Sequence, residues 1–196
     1  MNRFKATGFT LIEAMIVVAI MGILVATAFP SFQRMLETNR LKQVAESLKS
    51  DMQLARTEAI KRSKYVIVST TTGNNGSWCY GLTETTSSCS KTSCDCAETN
   101  TADSDYCEIK RVLGSNFNSA VNITSTTSAN TIFDFKRGVR LEIDHDDSCK
   151  LVLADEDDEV RLTTTNFQTS VVSSNTGRSI NCTPSGQNGI IGYPPC

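Results

Sequence analysis

Cysteines are the side chains of this sequence whose type and spacing most plainly suggest chemistry. The 196-residue chain contains an even set of eight, which allows four disulfides. Three of them, Cys89, Cys94 and Cys96, have the spacing of metal ligands, but no histidine lies near them. Together with the export signal described below, this favours disulfides over a metal, and we assign no metal. The disulfide candidates are Cys79, Cys89, Cys94, Cys96, Cys107, Cys149, Cys182 and Cys196.

Two acidic clusters carry the hard oxygen ligands that Ca²⁺ prefers. The first is Asp144-His145-Asp146-Asp147, and the second is Asp155-Glu156-Asp157-Asp158-Glu159. The second lies between two short apolar runs, so we interpret it as a solvated hairpin turn and keep calcium as the alternative.

Catalytic residues are scarce. His145 is the only histidine, no glycine-rich phosphate loop with a lysine is present, and the thiols are expected to be oxidised. We therefore predict that the protein is not an enzyme and needs no cofactor.

The N-terminal part of the chain is apolar. Residues 9–29 contain one ionisable group, Glu13, in twenty-one positions, and a helix of that length spans roughly the 30 Å core of a bilayer. A secretory signal cleaved after Ala26-Thr27-Ala28 is the alternative, but the apolar pattern continues toward Pro30 as helix. A carboxylate in this segment costs about 2.5–3.5 kcal/mol unless it is paired, so Glu13 should have a partner or else reach the interface.

Residues 30–64 have apolar side chains at three- and four-residue spacing, which predicts an amphipathic helix that continues from the membrane span, with a kink or looser geometry at Pro30. Residues 65–196 form a β-rich head, with an antiparallel sheet laid on the helix and a disulfide-stapled surface loop at 83–105. The predicted fold class is thus α+β. Predicted strands begin at Tyr65 and occupy 109–113, 120–123, 131–135, 139–143, 150–154, 160–164 and 169–173.

Charge is unevenly distributed along the chain. Residues 30–64 carry eight basic and four acidic side chains, whereas residues 65–196 carry nine and sixteen. An acidic head repels nucleic acid at long range, so only a local basic patch would bind DNA.

The segment Lys5-Ala6-Thr7-Gly8-Phe9-Thr10-Leu11-Ile12-Glu13 resembles the signal of type IV prepilins and type II secretion pseudopilins. The resemblance implies that residues 1–8 are a leader cleaved after Gly8 by an inner-membrane prepilin peptidase, and that Phe9 is then N-methylated. It also implies that Glu13 pairs with the Phe9 amine of a neighbouring subunit.

The segment Leu48–Arg62 is similar to the helix signature of the GspH/FimT family, which joins H-type pseudopilins to FimT/FimU-type minor pilins. Residues 132–138 and Gly177-Arg178 resemble further elements of that family. Plain core packing is the alternative explanation of the helix signature. The loop from Thr83 to Tyr106 has no counterpart in the family.

These resemblances imply a minor pilin that helps initiate or cap a type IV pilus. A minor pseudopilin of a type II secretion system and a DNA-binding minor pilin are the alternatives. Some FimT-type pilins use a Gly-Arg-x-Arg tail for DNA, and the second arginine is absent here. Lys136, Arg137, Arg140 and Arg178 are the candidates for a DNA patch, and solvation of turns is the more ordinary explanation of their charge. The implied partners are other pilins or pseudopilins, the peptidase, and an inner-membrane assembly platform with its ATPase. The implied location is the bacterial inner membrane, with a single pass and a periplasmic head, and then the filament.

Overall fold

The computed structural model describes residues 9–86, 91–144 and 150–196. They divide into two compact units, one that ends at Leu36 and one that runs from Glu37 to Cys196. One long helix, α1 (Leu11–Arg62), contributes to both units and continues through Pro30. The predicted domain boundaries at residues 29 and 64 stay predictions.

Both ends of α1 are stabilised by local contacts. At the start, the backbone N–H of Glu13 donates to the hydroxyl of Thr10 at 3.3 Å, which makes Thr10 the helix cap. At the end, Ser63 adopts φ 55° while the N–H of Lys64 donates to the carbonyl of Ala59 at 3.3 Å. This is the usual left-handed termination of a helix, with serine in the place that glycine commonly takes.

The described residues of the head form ten strands: β1 (Tyr65–Thr71), β2 (Cys79–Thr85), β3 (Lys110–Leu113), β4 (Asn122–Thr126), β5 (Asn130–Phe133), β6 (Arg140–Ile143), β7 (Leu151–Leu153), β8 (Asp158–Thr163), β9 (Gln168–Ser173) and β10 (Ser179–Cys182). They form two antiparallel sheets, with strand orders β3-β2-β1-β5-β6-β7 and β10-β9-β8-β4. The predicted α+β class is confirmed, and the single sheet that we expected is two.

The hairpin that we predicted around residues 155–159 is wrong. β7 pairs with β6, whereas β8 pairs with β4 and β9, so the acidic segment connects one sheet to the other. Its last aspartate, Asp158, is 1% exposed and begins a buried strand instead of a solvated turn.

One face of α1 covers both sheets and forms the core. Its buried apolar residues are Leu41, Val44, Ala45, Leu48, Met52, Ala55 and Ala59, which are the positions that the amphipathic pattern contains. They belong to one cluster with side chains of both sheets, such as Phe133 of β5 and Leu162 of β8. Trp78 is buried in the same cluster, and its indole N–H donates to the carbonyl of Val121 at 2.8 Å.

Candidate assembly surface and head sites

The first unit presents an almost unbroken apolar surface. Nearly all large apolar side chains from Phe9 to Met35 are at least half exposed, although exposure of this kind is rare in a stable monomer. By length and composition α1 is suited to cross a membrane. This surface therefore has to be covered by lipid or by other helices.

Glu13 interrupts that surface in the first turn of α1. Negative charge is favoured at this end of a helix because the backbone N–H groups point toward it. Among the residues that the structure describes, no cation lies within 4 Å of its carboxylate. Phe9 is 83% exposed, and Gly8 lies outside the described residues. The capping role of Thr10 was readable from the sequence, since threonine before an apolar helix is a common cap.

The second site is a junction where the signature segments of the head meet. Gly138 follows β5, Gly177 precedes β10, and both have a positive φ, of 64° and 77°. A Cβ atom on Gly177 would lie 2.1 Å from the carbonyl oxygen of Gly138, and one on Gly138 would lie 2.7 Å from Nε of Arg56 in α1. The backbone of two turns and the side chain of Arg56 are thus packed together, and neither glycine leaves room for a side chain.

Comparison with known proteins identifies the family. The family model described as "Type II transport protein GspH" matches residues 44–186, which is more than half of the chain. The chain belongs to the GspH family. A second model, described as the prokaryotic N-terminal methylation motif, matches residues 3–29. No curated protein matches the chain.

Among solved structures, the chain is similar to the type IV minor pilin FimU of Pseudomonas aeruginosa (strain PAO1). The identity is 9%, the TM-score is 0.44, and the match covers 71% of this chain and 90% of that chain.

Three of the four predicted basic residues lie on the two turns that meet at Gly138 and Gly177. Lys136 and Arg137 lie on the exposed turn that ends at Gly138, and Arg178 is exposed directly after Gly177. Arg137 is held in place because its backbone N–H donates to Asp134 Oδ2 at 3.1 Å. The prediction was wrong for Arg140, which pairs with Phe133 in the sheet and is only 4% exposed, so it cannot contribute to a surface patch.

Three disulfides lie within the described residues. Cys79–Cys96 and Cys94–Cys107 fasten the loop between β2 and β3, and Cys182–Cys196 fastens the C-terminal segment to β10. The predicted stapled loop is thus present, although β2 continues as far as Thr85 before it begins. Cys89 and Cys149 lie outside the described residues.

A buried polar cluster that sequence reasoning missed joins α1 to the sheet. Asp51 is 3% exposed, accepts a hydrogen bond from Tyr80 Oη at 2.8 Å, and is 2.6 Å from Lys110 Nζ. Ser47 Oγ lies 3.1 Å from the same phenol. Burial raises the pKa of Tyr80, and the carboxylate of Asp51 adds to the rise. Asp51 was detectable as an acidic residue at the spacing of the buried helix face, next to Leu48 and Met52.

The calcium alternative stays a prediction. No group of three or more His, Cys, Asp or Glu side chains there has a geometry that could hold a metal ion. His145, Asp146 and Asp147 of the first acidic cluster lie outside the described residues.

Proposed function

We propose that this GspH-family protein is a minor pilin of a type IV pilus that helps initiate or cap the filament. The observation that supports the proposal is the exposed apolar surface of α1 with Glu13 in its first turn. Burial of this surface among other N-terminal helices would supply the association energy, at roughly 25 cal/mol per Å² of apolar area removed from water. The acidic, disulfide-fastened head suits a specialised subunit more than the bulk of a polymer.

In this proposal the processing steps act on the first residues. The prepilin peptidase cleaves after Gly8, and the new amine of Phe9 is methylated. Before assembly the chain crosses the inner membrane once with its head in the periplasm. During assembly Glu13 of one subunit pairs with the amine of Phe9 in the next, which removes an unpaired carboxylate from an apolar environment. Energy comes from an assembly ATPase that acts through a platform protein.

A complemented deletion strain tests the assembly role. We expect Glu13→Leu to be processed and stable but to fail in restoring surface pili, because the neighbouring amine then has no partner. Thr27→Val is the matched control, since it also removes a polar group from the exposed face of the same helix, where the Thr27 hydroxyl donates only to the carbonyl of Leu24 at 3.0 Å. Wild-type piliation by Glu13→Leu would contradict the pairing role.

A minor pseudopilin of a type II secretion system is the second candidate, and the match to the GspH model favours it. The deletion strain separates the two functions. Loss of surface pili and twitching with normal secretion supports the pilus, whereas loss of secretion with normal piliation supports the pseudopilus.

A DNA-binding role is the third candidate, because the glycine junction gathers Lys136, Arg137 and Arg178. In a gel-shift assay with the full chain in detergent, the Arg137→Ala/Arg178→Ala variant should weaken DNA binding and reduce its salt dependence. The matched control, Lys150→Ala/Arg161→Ala, removes the same charge outside the two turns. Equal binding by both variants would remove this hypothesis.

A further inference from the structure

A pocket of about 760 Å³ lies beside the start of β6. Its described walls come from β5 and β6, from the turn that precedes β5, and from the acidic link between β7 and β8. A volume of this size is within the range of about 300–1,000 Å³ that is usual for ligand sites. Nothing in the assembly role described above uses it.

The pocket is strongly acidic. Glu142 lines it from β6, and the exposed side chains of Asp155, Glu156 and Asp157 line it from the link. None of these four carboxylates has an ion pair within 4 Å among the described residues, whereas the neighbouring Asp144 is paired with Lys150 at 3.0 Å. Even with the cation of Arg140 in the same wall, the four carboxylates leave a net negative charge around the pocket.

Arg140 is the second, independent feature. It lines the same pocket, it is 96% buried because its exposed fraction is 4%, and its Nε has no hydrogen-bond acceptor in the described part of the chain. The buried Asp158 interacts with Arg140 electrostatically, but its carboxylate accepts its hydrogen bonds from Thr131 Oγ1 and from the N–H of Ser128. A buried guanidinium whose Nε–H has no acceptor is unfavourable, and an acceptor supplied by a ligand would satisfy it.

These features restrict the class of ligand. Phosphate groups and nucleic acid are repelled by four carboxylates. The carboxylates are not arranged so that three of them could hold a single metal ion, and the cation of Arg140 disfavours one further. A polyamine offers positive charge but has no acceptor for Arg140. A basic polypeptide segment offers both, because its ammonium groups face the carboxylates while a main-chain carbonyl accepts from Arg140. The half-buried Ile143 adds an apolar wall for the methylene stem of a lysine.

We propose that this pocket is a docking site for a lysine-containing segment of a partner protein, with its carbonyl oxygen on Arg140 and its ammonium groups on the carboxylates of β6 and of the β7–β8 link. Charge complementarity is the argument for this occupant. The site lies on the head and is independent of the helix surface that we propose for filament assembly.

Calorimetry with the full chain in detergent tests the proposal, with the blocked peptide acetyl-Gly-Lys-Gly-Lys-Gly-amide as the probe. We expect saturable binding that weakens with salt, and at least tenfold weaker binding of spermidine. Equal affinity for spermidine would overturn the role of Arg140, and tighter binding of the glutamate version of the peptide would overturn the proposal.

Matched variants locate the site. Asp155→Asn/Glu156→Gln should weaken peptide binding about five- to tenfold, in line with two exposed ion pairs. Asp105→Asn/Glu108→Gln removes equal charge from exposed positions between β2 and β3 and should leave binding unchanged. Equal weakening by both pairs would mean general electrostatic attraction and would overturn the site.

Arg140→Lys keeps the charge but loses the planar donor set, and should weaken binding about tenfold. The emission of Trp78 reports whether this variant folds, and if it does not, the two charge-removal variants decide the question. Sedimentation velocity tests whether a second copy of this chain occupies the pocket. Self-association that is abolished by Asp155→Asn/Glu156→Gln would assign the pocket to that second copy and would overturn the proposal of a separate partner protein.

Discussion

Gly177→Ala is expected to destabilise the head far more than an ordinary glycine substitution. An alanine at φ +77° costs about 1–2 kcal/mol in backbone strain. Alanine also restricts the unfolded chain, and this offsets about 0.4–1 kcal/mol of the strain. The added Cβ would also lie 2.1 Å from the carbonyl oxygen of Gly138, a backbone atom that cannot turn aside as a flexible side chain would.

Relief of that contact requires the two turns to separate. Their separation would disturb the hydrogen bond from the N–H of Arg140 to the carbonyl of Asn175, which is 2.9 Å long, and the packing on Arg56. Overpacking of this kind typically costs about 1–3 kcal/mol. We therefore expect the free energy of unfolding to fall by about 2–4 kcal/mol in total.

Gly186→Ala is the matched control. Gly186 has nearly the same φ, +76°, but a Cβ there meets nothing within 4 Å, so only the backbone strain remains. Its net effect should be no more than about 1.5 kcal/mol after the gain from the unfolded chain. The difference between the two variants therefore measures the contact with Gly138 alone.

Thermal unfolding of the full chain in detergent, with disulfides intact and followed by Trp78 fluorescence, provides the measurement. For a protein of this size, 1 kcal/mol corresponds to about 2–4 °C in Tm, so the contact cost of about 1–3 kcal/mol should make Gly177→Ala melt roughly 2–12 °C below Gly186→Ala. Equal Tm values for the two variants would refute the close packing of the turns at Gly138 and Gly177.

Three further predictions concern the polar contacts and the disulfides. Burial raises the pKa of Tyr80, so its phenol should be among the last to ionise, and the free energy of unfolding should fall as pH rises above about 10. In an ultraviolet titration of tyrosine ionisation, the late phase should diminish in Tyr80→Phe. Hydrogen bonds from Lys64 and, to a smaller extent, from Arg62 lower the pKa of Glu84. The ionised Glu84 therefore contributes to the stability of the folded protein above about pH 4.3, and this contribution is lost as pH falls through the lowered pKa. Urea midpoints measured across this range should depend less on pH in Glu84→Gln, and an unchanged slope would contradict the assignment. Replacement of Cys182 and Cys196 by serine opens a loop with a sequence separation of 14 and should lower the free energy of unfolding by about 3 kcal/mol, as measured by urea denaturation without reductant.

The helix and most strands could be predicted because their signals are local. The buried positions of α1 repeat at helical spacing, and the strands from β3 to β9 lie within a few residues of the predicted ranges. β10 was missed because Ser179-Ile180-Asn181-Cys182 contains a single large apolar residue, and its burial comes from pairing with β9. Division into two sheets was also missed, since it depends on which distant strands pair.

The candidate sites, too, could be predicted only where the signal is local in sequence. Glu13 was identifiable because a carboxylate in an apolar run is anomalous by itself. Arg140 and Asp158 both looked like surface charges in turns, and only the register that places Arg140 opposite Phe133 reveals that it is buried. Likewise, nothing near Gly138 in sequence indicates that Gly177 fills the space in front of it.

The order of the cysteines in the loop after β2 has a consequence for how the protein is made. Cys79–Cys96 and Cys94–Cys107 interlock, because each bond encloses one partner of the other. Cys94 and Cys96 are two residues apart, so the exchanged pairing of Cys79 with Cys94 and Cys96 with Cys107 differs by a small displacement of the chain and closes two separate rings. Oxidation of the nascent chain will sample this isomer, and escape from it requires thiolate attack on a formed bond. Yield of the native head should therefore depend on disulfide shuffling during export, and production without a thiol-exchange catalyst should leave a fraction with the exchanged rings.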